Sequence, residues 1–263
     1  MIEPVYRFNS AIVRRPARSV VHGLRADDRG DPTFEGVAAE HATYVEALEK
    51  AGVRVTLLPA LEAFPDSVFV EDPALVFTEG AIVLRPGAEA RARETVHIAP
   101  ILAERFETVL SLGSGFADGG DILTTPDRVM IGLSARTDLT GAQALQSALA
   151  QLGRSSEVVT TPRGVLHFKT DCSLLDEDCI LSTRRLAASG VFGNFRIIAV
   201  ADGEEAAANA LRVNDVVFVG ADYPRTIETL QKEGFNVVPL KTTEIGKIDA
   251  GLSCMSLRWF DLR

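Results

Sequence analysis

A chain of 263 residues with 46% apolar and 24% charged side chains has ordinary globular composition and enough apolar residues to bury a core. Its net charge of -9 and pI near 5.0 argue against nucleic acid or anionic membrane as partners, because both demand clustered Lys and Arg; a small cation suits the same field. No apolar run approaches the roughly 18 residues of a membrane span, and Met1 to Ser10 have neither a basic nor an apolar leader segment, so the cytoplasm is the expected compartment.

In chain order, hydrophobic periodicity predicts helices at about 33–52, 88–105, 138–152, 184–193 and 224–234. A short strand-like run follows each one, beginning at Val53, Glu107, Glu157, Arg196 and Asn236. Gly52, Gly153 and Gly234 fall where a helix C-terminus wants a left-handed residue. Between each strand and the next helix lies a hairpin-like pair of runs, clearest in Asp121–Thr125 and Val129–Leu133 around Pro126, Asp127 and Arg128. The unit is therefore β-turn-β, helix, β. A polar residue opens each hairpin, namely Asp72, Asp118, His167, Asn209 and Cys254, at intervals of roughly 45 residues, a spacing that marks a repeat architecture. The last hairpin begins at Cys254 and its partner strand and helix must come from the N-terminus, through Ala11–Arg14 and the helix from 33. This closes a ring of five α/β units, one domain over 1–263, whose hairpin-opening residues converge on a central axis.

Two carboxylates, an imidazole, an amide and a thiol at one place make a catalytic centre rather than a packed core, where unpaired carboxylates cost several kcal/mol each. Cys254, in Gly251-Leu-Ser-Cys, sits at the mouth of a strand and becomes a nucleophile if a base and a positive neighbour favour its thiolate. His167 is in register with it, whereas His22, His41 and His97 read as surface residues. Cys172 and Cys179 lie in strand-like runs and read as structural. If Asp66–Asp72 is extended, alternation places Asp66 and Asp72 on one side and Phe69 and Glu71 on the other, an anionic slot with an aromatic wall that suits a planar guanidinium. Asp118-Gly-Gly-Asp121 puts two acids around a tight turn, too few oxygens for a calcium loop of about a dozen residues. Arg91 and Arg136 follow successive hairpins at equivalent places and are candidates for clamping a carboxylate.

Seven segments taken together, at Arg15-Pro-Ala-Arg-Ser, Asp66–Asp72, Arg85–Arg91, Asp118–Asp121, Leu166–Thr170, Ala207–Asn209 and Lys247–Cys254, resemble the dimethylarginine dimethylaminohydrolases of the pentein superfamily. The resemblance implies a five-bladed α/β propeller (pentein fold) of ββαβ units. It implies Cys254 as nucleophile, His167 as general acid and base, and Asp118 as the carboxylate holding guanidinium and imidazole, although some relatives carry Glu there. Asp66 and Asp72 would contact the guanidinium, with Phe69 and Glu71 shaping the slot. Arg91 and Arg136 would take the α-carboxylate, and backbone groups near Leu24 and Ile248 the α-amine. The segment from Arg15 to Asp31 looks like a mobile lid, with His22 where some relatives have an acid. The activity implied is hydrolysis of Nω-methylated arginine to citrulline and an amine, with no cofactor and no metal. An arginine deiminase-like enzyme and a non-catalytic binding protein are the rival readings; the oligomeric state, a homodimer included, and the preferred methylation pattern stay open.

Overall fold

The computed structural model describes residues 4–26 and 29–263. Fifteen strands form five three-stranded sheets. The first blade holds β3 (Ala74–Phe77), β4 (Gly80–Val83) and β5 (Val109–Ser111); the second holds β6 (Ile122–Thr124), β7 (Val129–Leu133) and β8 (Ser156–Thr160). In the third are β9 (Cys172–Asp176), β10 (Cys179–Ser182) and β11 (Arg196–Ala199), and in the fourth β12 (Leu211–Val213), β13 (Val216–Gly220) and β14 (Val237–Leu240). The middle strand of each pairs antiparallel with the strand before it and parallel with the strand reached through a helix. Those helices are α2 (Thr95–Arg105), α3 (Leu139–Gln151), α4 (Arg184–Ala187) and α5 (Pro224–Lys232).

The fifth blade is built from both ends of the chain. β1 (Ser10–Arg14) pairs antiparallel with β15 (Leu257–Trp259), with Ile12 opposite Leu257, and parallel with β2 (Arg54–Leu58) after α1 (Phe34–Lys50). All five residues of β1 are buried, as a strand flanked on both edges and covered on both faces must be. The result is a five-bladed α/β propeller. First strands adjoin one another around the axis, β15 against β3, β6 against β9 and β9 against β12, so the residues just ahead of them meet at one end of the ring.

Local chemistry explains most boundaries. Thr33 and Asp138 cap α1 and α3 by accepting the amides of Gly36 and Gly141, at 3.1 and 2.6 Å. Gly52, Gly153 and Gly234 take left-handed φ values of 87°, 74° and 90°, as expected of helix-terminating glycines. Two helices differ from expectation. The stretch 88–105 is a 3₁₀ turn over Glu89–Glu94 leading into α2, and 184–193 keeps only the four residues of α4 before turns containing left-handed Gly190 and Gly193. His41 is not a surface residue: it lies on the inner face of α1 at 4% exposure, and burial first, with the charge of Arg15 second, pushes its imidazole down to about 4. His22 and His97 are exposed, and Cys172 and Cys179 are fully buried. No helix among the described residues is long and apolar enough to cross a membrane.

Candidate active site

The segment Asp66–Asp72 is not extended. Successive turns, with Ser67 N–H donating to the Phe64 carbonyl at 3.0 Å and Phe69 N–H to that of Asp66 at 2.9 Å, wind it beneath the axis. The alternating slot is therefore not formed, and all seven residues are buried. Phe69 belongs to the apolar core with Val20, Ile248, Leu252 and Met255, so it backs the site rather than offering an open ring face. Glu71 is fully engaged: Lys169 at 2.5 Å and Arg258 at 3.2 Å meet Oε1, while Ser253 Oγ donates to Oε2 at 3.0 Å. Asp66 accepts the Leu24 amide at 2.9 Å. A Cβ on Gly23 would come within 3.2 Å of Asp66 Oδ1 and 3.3 Å of Ile248 Cγ2, so Leu24, Asp66 and Ile248 do come together.

The two arginines part company. Arg91 is 4% exposed and its guanidinium is committed to the protein, to Asp72 through Nη1, to Glu94 through Nε (3.0 Å) and Nη2 (2.7 Å), and to the carbonyls of Asp66 and Phe69. In this geometry it neutralises the buried carboxylates of Asp72 and Glu94. Burial opposes the charge of Asp72, but Arg91 and then His167 outweigh it and hold that carboxyl below its usual range. Arg136 is half-buried, no protein acceptor bonds its guanidinium among the described residues, and its charge reaches Asp66.

At the centre, Asp118 has no exposed surface, accepts the Gly87 amide at 2.7 Å on Oδ1 and meets His167 Nε2 at 3.0 Å on Oδ2. The glycine pair behind it permits this closeness. A Cβ on Gly119 would fall 2.0 Å from the Glu71 carbonyl oxygen, and one on Gly120 2.8 Å from the His167 ring. Asp121 draws the histidine loop in by accepting Phe168 N–H at 2.8 Å, along with the hydroxyls of Ser134 and Thr137. Burial alone would depress the imidazole of His167. The bond to Asp118 and the charges of Asp72, Asp121 and Asp118 prevail and raise it to about 9. Cys254 goes the same way for different reasons: burial, then the charges of Glu71 and Asp72, push its thiol up to about 12, against weaker help from Lys169. The resting pair is thus imidazolium and thiol at neutral pH.

Cys254, His167, Gly120, Asn209, Lys169 and Asp249 line a cleft of about 310 Å³. Asp66, Asp72 and Arg136 are not among the residues that line it, though Asp72 accepts the amide of Gly120, which does, at 3.0 Å. Of the expected lid, Asp27 and Asp28 fall outside the described residues. The rest is tied down by Leu24 N–H on Asp66 and Ala26 N–H on Asp249, and Ala26 and Arg29 edge the cleft. Asp72, Asp118 and His167 offer ligand atoms within 4.8 Å of one another. Each carboxylate oxygen of this trio already receives a proton donor, from Gly120, Arg91, Gly87 or His167, which fits a hydrogen-bonded hub better than a metal cage. Two supporting residues escaped sequence reading: Glu94, whose spacing of three from Arg91 was a usable signal, and Lys169, whose partner Glu71 is remote in sequence.

Comparison with known proteins gives the family of the chain. The family model described as arginine deiminase matches residues 59–208. An N(G),N(G)-dimethylarginine dimethylaminohydrolase of Pseudomonas aeruginosa is 40% identical over 259 residues, 96% of this chain and 100% of that one. A solved structure of the Pseudomonas aeruginosa enzyme, a cysteine-to-serine mutant complexed with citrulline, superposes with a TM-score of 0.93 at 39% identity, covering 96% and 100% of the two chains. Another, a histidine-to-glycine dimethylarginine dimethylaminohydrolase as its adduct with S-methyl-L-thiocitrulline, gives 0.92 at 40%, covering 95% and 99%. With identity at this level over nearly the whole length of both chains, this protein belongs to the dimethylarginine dimethylaminohydrolase family.

Proposed function

We propose that the protein hydrolyses the guanidinium C–N bond of an Nω-methylated arginine, releasing citrulline and methylamine or dimethylamine through a thiouronium on Cys254. The observation that carries this is one cleft shared by a thiol and an imidazolium bonded to a buried carboxylate, His167 to Asp118 at 3.0 Å. The relatives add chemical direction, since one binds citrulline when its cysteine is serine and another holds a thiocitrulline adduct.

A thiol near 12 is a poor nucleophile, and a cationic substrate remedies that. Two unit charges about 4 Å apart at an effective dielectric near 20 interact by roughly 4 kcal/mol, equivalent to about three pK units. Binding the guanidinium beside Asp72 and Asp118 thus lowers the thiol from about 12 towards about 9, and the fraction that gives its proton to solvent attacks the guanidinium carbon as thiolate. The tetrahedral adduct expels its methylated nitrogen as His167 donates a proton to it, leaving a thiouronium cation and neutral imidazole. His167 then takes a proton from water, whose oxygen bonds to the carbon. Collapse yields citrulline and thiolate, with a second proton restoring the thiol. Asp66 and Asp72 serve the guanidinium side, Arg136 and Arg91 the α-carboxylate, and the main chain near Leu24 and Ile248 the α-amine.

The test is Cys254→Ser assayed by colorimetric detection of ureido product from arginine, monomethylarginine, asymmetric dimethylarginine and agmatine. The wild-type chain should act on methylated arginines with release of the methylamine, and the variant on none. Ammonia release from unmethylated arginine as the dominant reaction would favour the deiminase reading, and full turnover by the serine variant would remove the nucleophile.

A further inference from the structure

Asn209 opens the fourth hairpin at the place held in the other four by Asp72, Asp118, His167 and Cys254, yet the chemistry above gives it no role. It is half-buried at the wall of the catalytic cleft. Its Oδ1 accepts the Ser253 N–H at 3.1 Å, and its Nδ2 donates to the Lys169 carbonyl at 3.0 Å. Ser253 immediately precedes the nucleophile, and Lys169 stands two residues after His167. The amide orientation is determined by its neighbours, because a main-chain N–H requires the oxygen and a main-chain carbonyl requires the nitrogen. A steric contact reinforces this: a Cβ on Gly251 would lie 2.4 Å from Asn209 Cγ and 2.5 Å from Oδ1. The Gly251 carbonyl in turn accepts the Cys254 N–H at 3.3 Å. The turn that ends in the nucleophile is thus moulded directly on the Asn209 side chain.

We infer that Asn209 is a positioning residue that sets the separation of Cys254 and His167 by clamping the main chains of their two loops together. A second link between these loops passes through Glu71, which meets Lys169 Nζ and Ser253 Oγ. That link holds flexible side-chain ends, whereas Asn209 bonds both backbones and so dictates the path of each loop. The inference rests on reading Cys254 and His167 as nucleophile and acid, and it gives the fourth unit its function: the other four units supply reacting or charge-bearing groups, and the fourth supplies the brace. Displacing reacting groups by about 1 Å costs on the order of 100-fold in rate, which is the size of effect at stake.

The experiment compares wild type with N209A and G251A. It reads kcat and KM for asymmetric dimethylarginine, the rate of alkylation by iodoacetamide, and the number of alkyl groups added by intact mass. Cys172 and Cys179 are fully buried, so a folded chain takes one label, at Cys254. N209A should lose roughly 100-fold in kcat with KM within about threefold. The same variant should alkylate faster at its single site, because the nucleophile loop is released. A general loss of structure would instead label all three cysteines, and G251A then decides: it keeps Asn209 but forces the loop away, and it should lose kcat to a similar degree with one label. Wild-type kcat in N209A, or wild-type kcat in G251A, overturns the inference. If the wild-type chain releases no ureido product from any methylated arginine, the proposed function fails by itself, and the alkylation rates still decide the role of Asn209.

Discussion

Asp118→Asn replaces one oxygen by nitrogen and probes the centre of the site. Its Oδ1 can still accept the Gly87 amide, but the group facing His167 Nε2 becomes a donor, which an imidazolium cannot meet. The rise of His167 from 6.5 to about 9 is worth roughly 3 kcal/mol in favour of the imidazolium. Burial opposes that rise; Asp118, through bond and charge, shares the lift with Asp72 and Asp121. Losing it should return about half, roughly 1.5 kcal/mol, and bring the imidazole down by about one pH unit or more. The assay is kcat against pH. In wild type the rate should fall on the alkaline side as the acid loses its proton, and in D118N that limb should move to lower pH, with lower plateau activity from the wrong tautomer. Stability follows in sign: with the folded pKa above the unfolded one, the imidazolium stabilises the fold in full below about 6.5, and this is lost as pH climbs through about 9. The melting-temperature advantage of wild type over D118N should therefore shrink across that window. An alkaline limb that stays in place in D118N would refute the assignment of His167 as the acid governed by Asp118.

Arg136→Ala should raise KM for dimethylarginine by roughly 10- to 100-fold, the worth of a hydrogen bond to a charged group. Its effect on a methylated agmatine, which lacks the carboxylate, should be small, and equal effects on both would dismiss the carboxylate contact. Arg91→Ala strands Asp72 and Glu94 in the interior, so it should cost about 3–5 kcal/mol and lower the melting temperature by roughly 10 °C in differential scanning calorimetry. A variant that melts like wild type would show that Arg91 does not hold this pair. Gly120→Ala puts a methyl 2.8 Å from the His167 ring and 3.1 Å from Asp72 Oδ1, so kcat should fall with little change in secondary structure by circular dichroism.

Much of this architecture is written locally. Caps such as Thr33 and Asp138, terminating glycines at 52, 153 and 234, and alternating apolar runs depend on neighbours within a few residues, so the repeating unit and its spacing can be read from the chain. The spacing alone also brings Asp118, His167 and Cys254 to one axis. What only the tertiary structure decides is the state of those groups. Asp66–Asp72 contains strand-forming Val and Phe residues, yet it folds as turns because burial of Val68, Phe69 and Val70 beneath the ring outweighs a weak local preference. Arg91 and Arg136 look equivalent along the chain, but a neighbouring Glu94 and a distant Asp72 pair with Arg91. His41 looked superficial because a helix period does not say how wide its buried face is. A pKa is likewise a sum over desolvation and charges from several blades, so the raised values of the His167 imidazole and the Cys254 thiol exist only once the ring has closed around them.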